Sequence, residues 1–384
     1  MDISLSIVMP CLNEAKTLAI VIAKAKEGIS KANVSAEILV VDNGSTDNSV
    51  EIAEREGARV VRQVKKGYGS ALRKGLEEAK GKYIIMGDAD DTYDFSKIEP
   101  FIEKLEDGVE LVMGSRLRGN IAPKAMPFLH RYVGNPVLTC ILNFLFGGRV
   151  SDTHCGLRGF RKDAIMKLNL RSDGMEFASE MIVKALNNGL RIEEFPIDYH
   201  ASPVERKPHL RSFSDGWRHL RFMLIFSPTY IFLMPGIFLL ILGVALLFTL
   251  MFSFFYVFNL QMGLSAMIFS SSAIFIGYQF LLFGISSKLI GVKDGLIPES
   301  MITEFVKKHF RLEKGLIIGA GVLFTGLLLW VCTVYLLFRQ GSSPIVNIDL
   351  TKMAILSTTF LLFGIQTVAS SFYLGMLDIE TTLK

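Results

Sequence analysis

The sequence predicts an α/β domain on a mostly parallel sheet, followed by an all-α membrane domain of four helices. Three observations carry this. Over the first 226 residues short apolar runs alternate with amphipathic stretches, the sequence form of βαβ units. The 41 Lys/Arg and 37 Asp/Glu residues are unevenly spread: 62 lie in those first 226 residues and 16 in the remaining 158. The charge-poor part contains four apolar stretches long enough for a bilayer core of ~30 Å, which needs ~20 helical residues.

Taken in order, LSIVMP reads as a first buried strand, and Glu14 to Lys31 has helical spacing. EILVVD, Glu37 to Asp42, is a second strand closing on a carboxylate, and Ser45, Thr46 and Asp47 are N-cap candidates for the helix SVEIAEREG. ARVVRQ, SALRKGLEEAKG and KYIIMGDAD repeat the scheme as strand, helix and strand. The carboxylates thus fall at strand C-termini, where open α/β sheets bind ligands. Pro127 to Phe146 is apolar but interrupted by Pro and Gly, and suits a core helix or an interfacial one. Phe213 to Phe226 mixes Trp217 and Phe222 with Arg218, His219 and Arg221, as in a helix lying on an anionic membrane surface.

The expected organisation is therefore a domain over 1–212, an interfacial helix over 213–226 and a membrane domain over 227–384 with spans near 230–258, 266–291, 316–338 and 353–375. Lys288, near the end of the second span, suits snorkelling to the headgroups. The loop from Lys293 to Lys314 holds five Lys/Arg, the first loop none and the third two. The positive-inside rule then puts the N-terminal domain and the C-terminus in the cytoplasm of a bacterial or archaeal plasma membrane. The first residues, MDISLSIVMPCLNE, lack the basic start and long apolar core of a cleaved signal.

Composition narrows the partners. A mean hydropathy of +0.39 excludes a disordered chain, and a dispersed net charge of +4 argues against a nucleic-acid partner. The four cysteines are far apart without zinc-ligand spacing, as expected of free thiols in a reducing compartment.

The chemistry concentrates at Gly87-Asp88-Ala89-Asp90-Asp91-Thr92. Two carboxylates one residue apart point the same way from an extended chain, which suits a divalent cation held against a diphosphate. A surface Asp-rich turn has the same letters. A buried strand before the pair, and Asp42 closing another, favour the metal: clustered acids repel unless a cation or hydrogen-bonding ligand joins them.

Taken together and in order, VMPCLNE (8–14), VVDNGSTD (40–47), KKGYGSALRKGLEEAKG (65–81), GDAD (87–90), GSR (114–116) and SDTHCGLRGFR (151–161) resemble the family 2 glycosyltransferases of Rossmann-like GT-A fold. Within that family the chain is most similar to polyprenyl-phosphate glycosyltransferases of the dolichyl-phosphate mannose or glucose synthase type. The resemblance implies that Pro10, Asn13 and Glu14 line the nucleotide pocket, that Asp42 recognises the base, and that Asp88 contacts the ribose or the metal. It implies Asp90 as principal ligand of Mg²⁺ or Mn²⁺, Arg116 beside the phosphates, and Asp152 and Arg158 shaping the acceptor site with Arg158 facing a phosphate.

The implied reaction moves one hexose, with inversion, from a UDP- or GDP-hexose to a polyprenyl phosphate. That monoester, with a second pKa of about 6, needs no strong base, and Arg158, Arg206, Lys207 and Arg211 would hold it. The bilayer is the other partner, and a homo-oligomer is compatible with the chain. DADDT departs from the DADLQ of many relatives, which makes Thr92 a doubtful third ligand, and PVERKPHLRSF departs from their R-x-G-x-S-K-L. Glu180 reads as a surface helix acid. No Q-x-x-R-W follows, which favours single transfer over processive synthesis. Two alternatives stand beside this: a hydroxyl acceptor, which would need Asp91 or Asp152 as general base, and a non-catalytic nucleotide-sugar-binding scaffold or transporter.

Overall fold

Strand β1 (Leu5–Cys11) is buried on both faces, as an interior parallel strand must be. It pairs in parallel with β2 (Ala36–Asp42) on one side and β4 (Tyr83–Met86) on the other. Between β1 and β2 runs α1 (Leu18–Ala32), which buries Leu18, Val21, Ile22 and Ala25 at helical spacing and stops at Asn33 in the left-handed region. Residues 14–17, expected as its first turn, form a separate turn. The computed structural model describes residues 3–202, 212–257, 260–293, 295–309, 312–340 and 347–382.

Helix α2 (Ser49–Arg55), β3 (Arg59–Arg62), α3 (Tyr68–Glu78), α4 (Glu99–Glu106), β5 (Leu111–Ser115), α5 (Asn135–Phe146), β6 (Arg158–Arg161), α6 (Lys162–Lys167), α7 (Phe177–Asn187), β7 (Ile192–Pro196) and α8 (Ser212–Ile225) complete the first unit, Met1–Ile225. The seven strands lie in the order β3-β2-β1-β4-β6-β5-β7, with β6 antiparallel to both neighbours and the remaining pairs parallel. Strand order turns back between β1 and β4, so the crevice beyond their C-terminal ends is the switch point where such sheets bind ligands. One core face packs Ile7, Met9, Ile22, Ile85 and Phe101.

Two amphipathic segments keep an uncovered apolar side. Around α5, Phe128, Tyr132, Val137 and Phe144 are exposed, so the core-helix alternative for 127–146 does not hold. Along α8, Phe213, Trp217 and Ile225 are exposed while His219 and Met223 are buried.

The second unit, Phe226–Lys384, contains α9 (Met234–Phe252), a hairpin of β8 (Phe255–Val257) and β9 (Leu260–Met262), then α10 (Leu264–Lys293), α11 (Met301–His309), α12 (Leu312–Gln340) and α13 (Ile348–Thr382). The helix containing α9 begins at Thr229, and among the described residues four helices have membrane length and apolarity: Thr229–Phe252, Leu264–Lys293, Leu312–Gln340 and Ile348–Leu377. The stretch to 258 expected as the end of the first span instead leaves the helix at Phe252 and enters the hairpin. Glycines set the helix contacts: a Cβ on Gly277 would meet Leu240 and Gly236, and one on Gly326 would meet Leu361.

Candidate active site

β4 stops at Met86, so the Asp88–Asp90 pair lies in a turn and not on an extended strand. The alternation argument for the two carboxylates is therefore corrected: they lie in the bend that follows the strand and not along it. Asp91 has φ +61°, a left-handed conformation for a non-glycine residue, and Lys24 of α1 holds its carboxylate at 2.6 Å. From the turn just before that helix, the buried Thr17 hydroxyl donates to Ala89 O at 2.9 Å. Within the turn, Asp90 Oδ1 accepts the Thr92 amide at 3.1 Å and its hydroxyl at 2.5 Å. Thr92 is thus bonded to the carboxylate it was expected to assist.

Asp88 Oδ1 accepts the Tyr68 hydroxyl at 2.9 Å, and burial with this carboxylate pushes the Tyr68 phenol well above its ordinary range. A chain of aromatic contacts leads onward. Gly156 lies so close to Asp88 that a Cβ there would fall 3.0 Å from Oδ2, and its amide donates to Tyr93 Oη at 2.8 Å. The Tyr93 and Tyr199 rings lie 5.3 Å apart, and the Arg116 guanidinium sits 5.2 Å from the centre of the Tyr199 ring. These three tyrosines had no signal in the sequence beyond their places, Tyr68 at the start of α3 and Tyr93 and Tyr199 in the segments after β4 and β7.

Arg116 and Asp152 form a fork: Nε to Oδ2 at 2.7 Å and Nη2 to Oδ1 at 2.8 Å, with the Arg116 amide on Oδ2 at 3.1 Å. Both are buried, Asp152 completely. Burial alone would raise the Asp152 carboxyl, but Arg116 outweighs it and holds the group below the usual carboxylate range. The expected phosphate-facing role of Arg158 is corrected by its bonding. Nε donates to Cys155 O at 2.9 Å, Nη1 to Ala178 O at 2.7 Å and Nη2 to Thr153 O at 2.8 Å, and the side chain is fully buried. It ties the 153–155 loop to α7. Glu180, expected at the surface, is 1% exposed; it pairs with Lys184 at 2.8 Å and accepts the amides of Arg171 and Ser172.

The loops that follow β1 and β2, expected to line the nucleotide pocket, are bonded to each other. Asn13, with φ +59°, receives the Thr46 amide on Oδ1 at 2.8 Å and donates its own amide to Ser45 Oγ at 3.0 Å. Glu14 N donates to Ser49 Oγ at 2.9 Å, and Ala15 N to Asp47 Oδ2 at 3.1 Å. Ser45 and Thr46 therefore join the two loops and do not cap α2; Asp47 alone reaches the helix start, accepting Ser49 N at 3.1 Å. Pro10 lies on β1 opposite Val41. Asp42 turns its carboxylate onto the amides of Gly44 and Ser45, at 3.2 and 2.9 Å. Asn43, which sequence reasoning missed, binds Gln63 O, Lys65 O and Gly67 N and fixes the loop before α3. Arg206, Lys207 and Arg211 lie outside the described residues.

Asp88, Asp90 and Thr92 supply hard oxygen donors, as Mg²⁺ or Mn²⁺ requires, and the backbone at Gly156 packs closely against Asp88. Among the described residues no three His, Cys, Asp or Glu side chains converge as a self-sufficient metal cluster. The donor set fits an ion that takes its remaining ligands from a substrate's phosphates.

A doubly wound sheet with this carboxylate turn at its switch point, on a chain with four membrane-length helices, is the make-up of a membrane-bound transferase of GT-A fold. Residues 6–168 match glycosyl transferase family 2, and residues 285–378 match the glycosyltransferase family 2 C-terminal transmembrane region. The chain is 40% identical over 379 residues to the low-salt glycan biosynthesis hexosyltransferase Agl6 of Haloferax volcanii, covering 97% of this chain and 89% of that one. It is 31% identical over 212 residues to a dolichyl-phosphate hexose transferase of the same organism, covering 55% of this chain and 89% of that one. With the dolichyl-phosphate beta-glucosyltransferase of Saccharomyces cerevisiae it shares 29% over 225 residues, 52% of this chain and 67% of the yeast one. The protein belongs to glycosyltransferase family 2 and is an integral membrane glycosyltransferase.

Proposed function

We propose that this enzyme transfers a single hexose, with inversion, from a UDP- or GDP-hexose to a polyprenyl phosphate at the cytoplasmic leaflet. The observation that carries the acceptor class is the state of Asp152: completely buried, forked onto Arg116 and held ionised, it is poorly placed to serve as a general base. The other acid suggested for that task, Asp91, is engaged by Lys24. A phosphate monoester brings its own ionised oxygen. That oxygen forms the new bond to the anomeric carbon while the bond to the nucleoside diphosphate breaks, and no proton need be removed.

In this reading Asp88 and Asp90 hold the divalent cation, which when bound would supply Lewis-acid neutralisation of the departing diphosphate. The Asn13 and Ser45–Asp47 loops receive the nucleoside, and the Tyr93–Tyr199–Arg116 layer walls the crevice beside the carboxylates. Arg158 positions the 153–155 loop. The dolichyl-phosphate relatives and the positive-inside pattern of the loops support the lipid and the leaflet.

The test uses full-length protein in detergent with undecaprenyl or dolichyl phosphate, Mg²⁺ or Mn²⁺, and labelled UDP- and GDP-sugars. One donor should place label in an acid-labile lipid, dependent on metal and lost in Asp90→Ala. Label appearing only with hydroxyl lipids would transfer the assignment to the hydroxyl-acceptor reading, and nucleotide binding without transfer to any acceptor would favour the scaffold.

A further inference from the structure

Among the described residues three lysines are buried, and two have evident partners. Lys184 pairs with Glu180 at 2.8 Å and donates to Asn169 O. Lys352 donates to Met251 O at 3.2 Å and lies 4.5 Å from the centre of the Phe254 ring. Lys288, only 9% exposed on the membrane helix α10, has neither an ion pair nor a hydrogen bond among the described residues. Its stem is packed against the unit while its ammonium is not among the fully buried polar atoms, which is the arrangement snorkelling requires.

The glycines one turn to either side show which face carries it. A Cβ on Gly284 would strike Leu233, and one on Gly291 would strike Ile297, so the 284–288–291 face is the packed one. The same contacts set an antiparallel register, with Gly277 against Gly236 and Gly284 against Leu233. One turn further along, Lys288 comes level with the start of the helix at Thr229, beside Ser227. Ser227 Oγ is buried without a hydrogen-bond partner, and so is Ser286 Oγ at the same depth on α10. The register thus brings an unpaired ammonium, an orphan hydroxyl and the positive end of a 24-residue helix to one level of one apolar unit. The hydroxyl is costly to bury alone, and one anion would satisfy all three.

We propose that Lys288 anchors a second phosphate site, formed with Ser227 and the start of the Thr229–Phe252 helix, which binds the phosphate of a lipid. Lys288 lies five residues before the end of α10, about 7.5 Å along the axis, a depth that a headgroup phosphate reaches while its chains stay in the hydrocarbon. The phosphate belongs either to a polyprenyl phosphate or to an anionic membrane phospholipid. The first source rests on the proposed function; the second does not.

Wild type, Lys288→Met and Lys288→Arg are compared as full-length proteins in phosphatidylcholine nanodiscs doped with undecaprenyl phosphate or phosphatidylglycerol. Bound lipid is read by native mass spectrometry, and KM is measured for undecaprenyl phosphate and for the nucleotide sugar. Lys288→Met should lower occupancy of one probe at least tenfold with an unchanged melting temperature, and Lys288→Arg should retain it. Loss of undecaprenyl phosphate with about a tenfold rise in its KM alone identifies the substrate lipid; loss confined to phosphatidylglycerol identifies a headgroup site. Equal occupancy of both probes in wild type and Lys288→Met overturns the proposal. A wild type inactive on undecaprenyl phosphate overturns the function instead and leaves the binding comparison readable.

Discussion

Asp90 and Asp152 stand at the same edge of one sheet and are treated oppositely. Asp90 sits in a turn after β4, bonded to the hydroxyl and amide of Thr92, in a crevice of tyrosines and glycine. Asp152 has lost all contact with solvent and is forked onto a guanidinium. In the proposed function the first arrangement would keep oxygen donors together for a cation that comes with its substrate. The second spends a full charge pair on fixing two loops, so residues from neighbouring motifs divide into chemistry and scaffold.

Substitutions that exchange these roles test the division. Asp90→Ala should cut transfer on the order of a thousandfold while leaving the melting temperature nearly unchanged. Asp152→Asn or Arg116→Met should instead unfold the protein more readily, by about 3–5 kcal/mol, because either leaves one buried charge uncompensated. The double replacement Arg116→Met with Asp152→Leu should recover much of that stability in chemical denaturation. A stable double variant with full activity would show that the fork does nothing but hold loops.

A third experiment uses pH. His219 donates or accepts with Ser179 at 2.8 Å, packs edge-on against His154, and burial pushes its imidazole from 6.5 down to about 4. The unfolded ring takes up its proton near 6.5 and the folded ring near 4. Its contribution is therefore complete above pH 6.5 and is lost as pH falls toward 4, by about 3 kcal/mol. His219→Phe should flatten that part of the stability–pH curve. The smallest effect belongs to the half-exposed Lys24–Asp91 pair: Lys24→Met should change stability by less than about 1 kcal/mol. Asp91→Gly should be tolerated or mildly stabilising, since glycine adopts the left-handed turn without strain.

The sheet was legible because its strands announce themselves as apolar runs ending in acids, and the membrane helices because nothing else is so long and so apolar. What escaped were side-chain destinations. Arg158 reads as a phosphate ligand by its motif, yet three carbonyls of its own fold claim its donors. Ser45 and Thr46 read as helix caps because local sequence precedes α2, while their partners lie more than thirty residues away on the first loop. Tyr93 and Tyr199 meet only because the segments after β4 and β7 come together, and Tyr68 reaches Asp88 from the start of α3. The hairpin after Phe252 was hidden by aromatic residues that suit a strand and a membrane helix equally well.

The bonds between the first two loops carry one more consequence. Asn13, Glu14 and Ala15 are fastened to Ser45, Thr46, Asp47 and Ser49 by the protein's own groups. If these loops receive the nucleoside as proposed, it meets a mouth held by the chain itself and forfeits little affinity to freezing loose chain. Recognition on this side should behave as lock and key, with the amides of Thr46 and Ala15 slow to exchange with deuterium before any nucleotide is added.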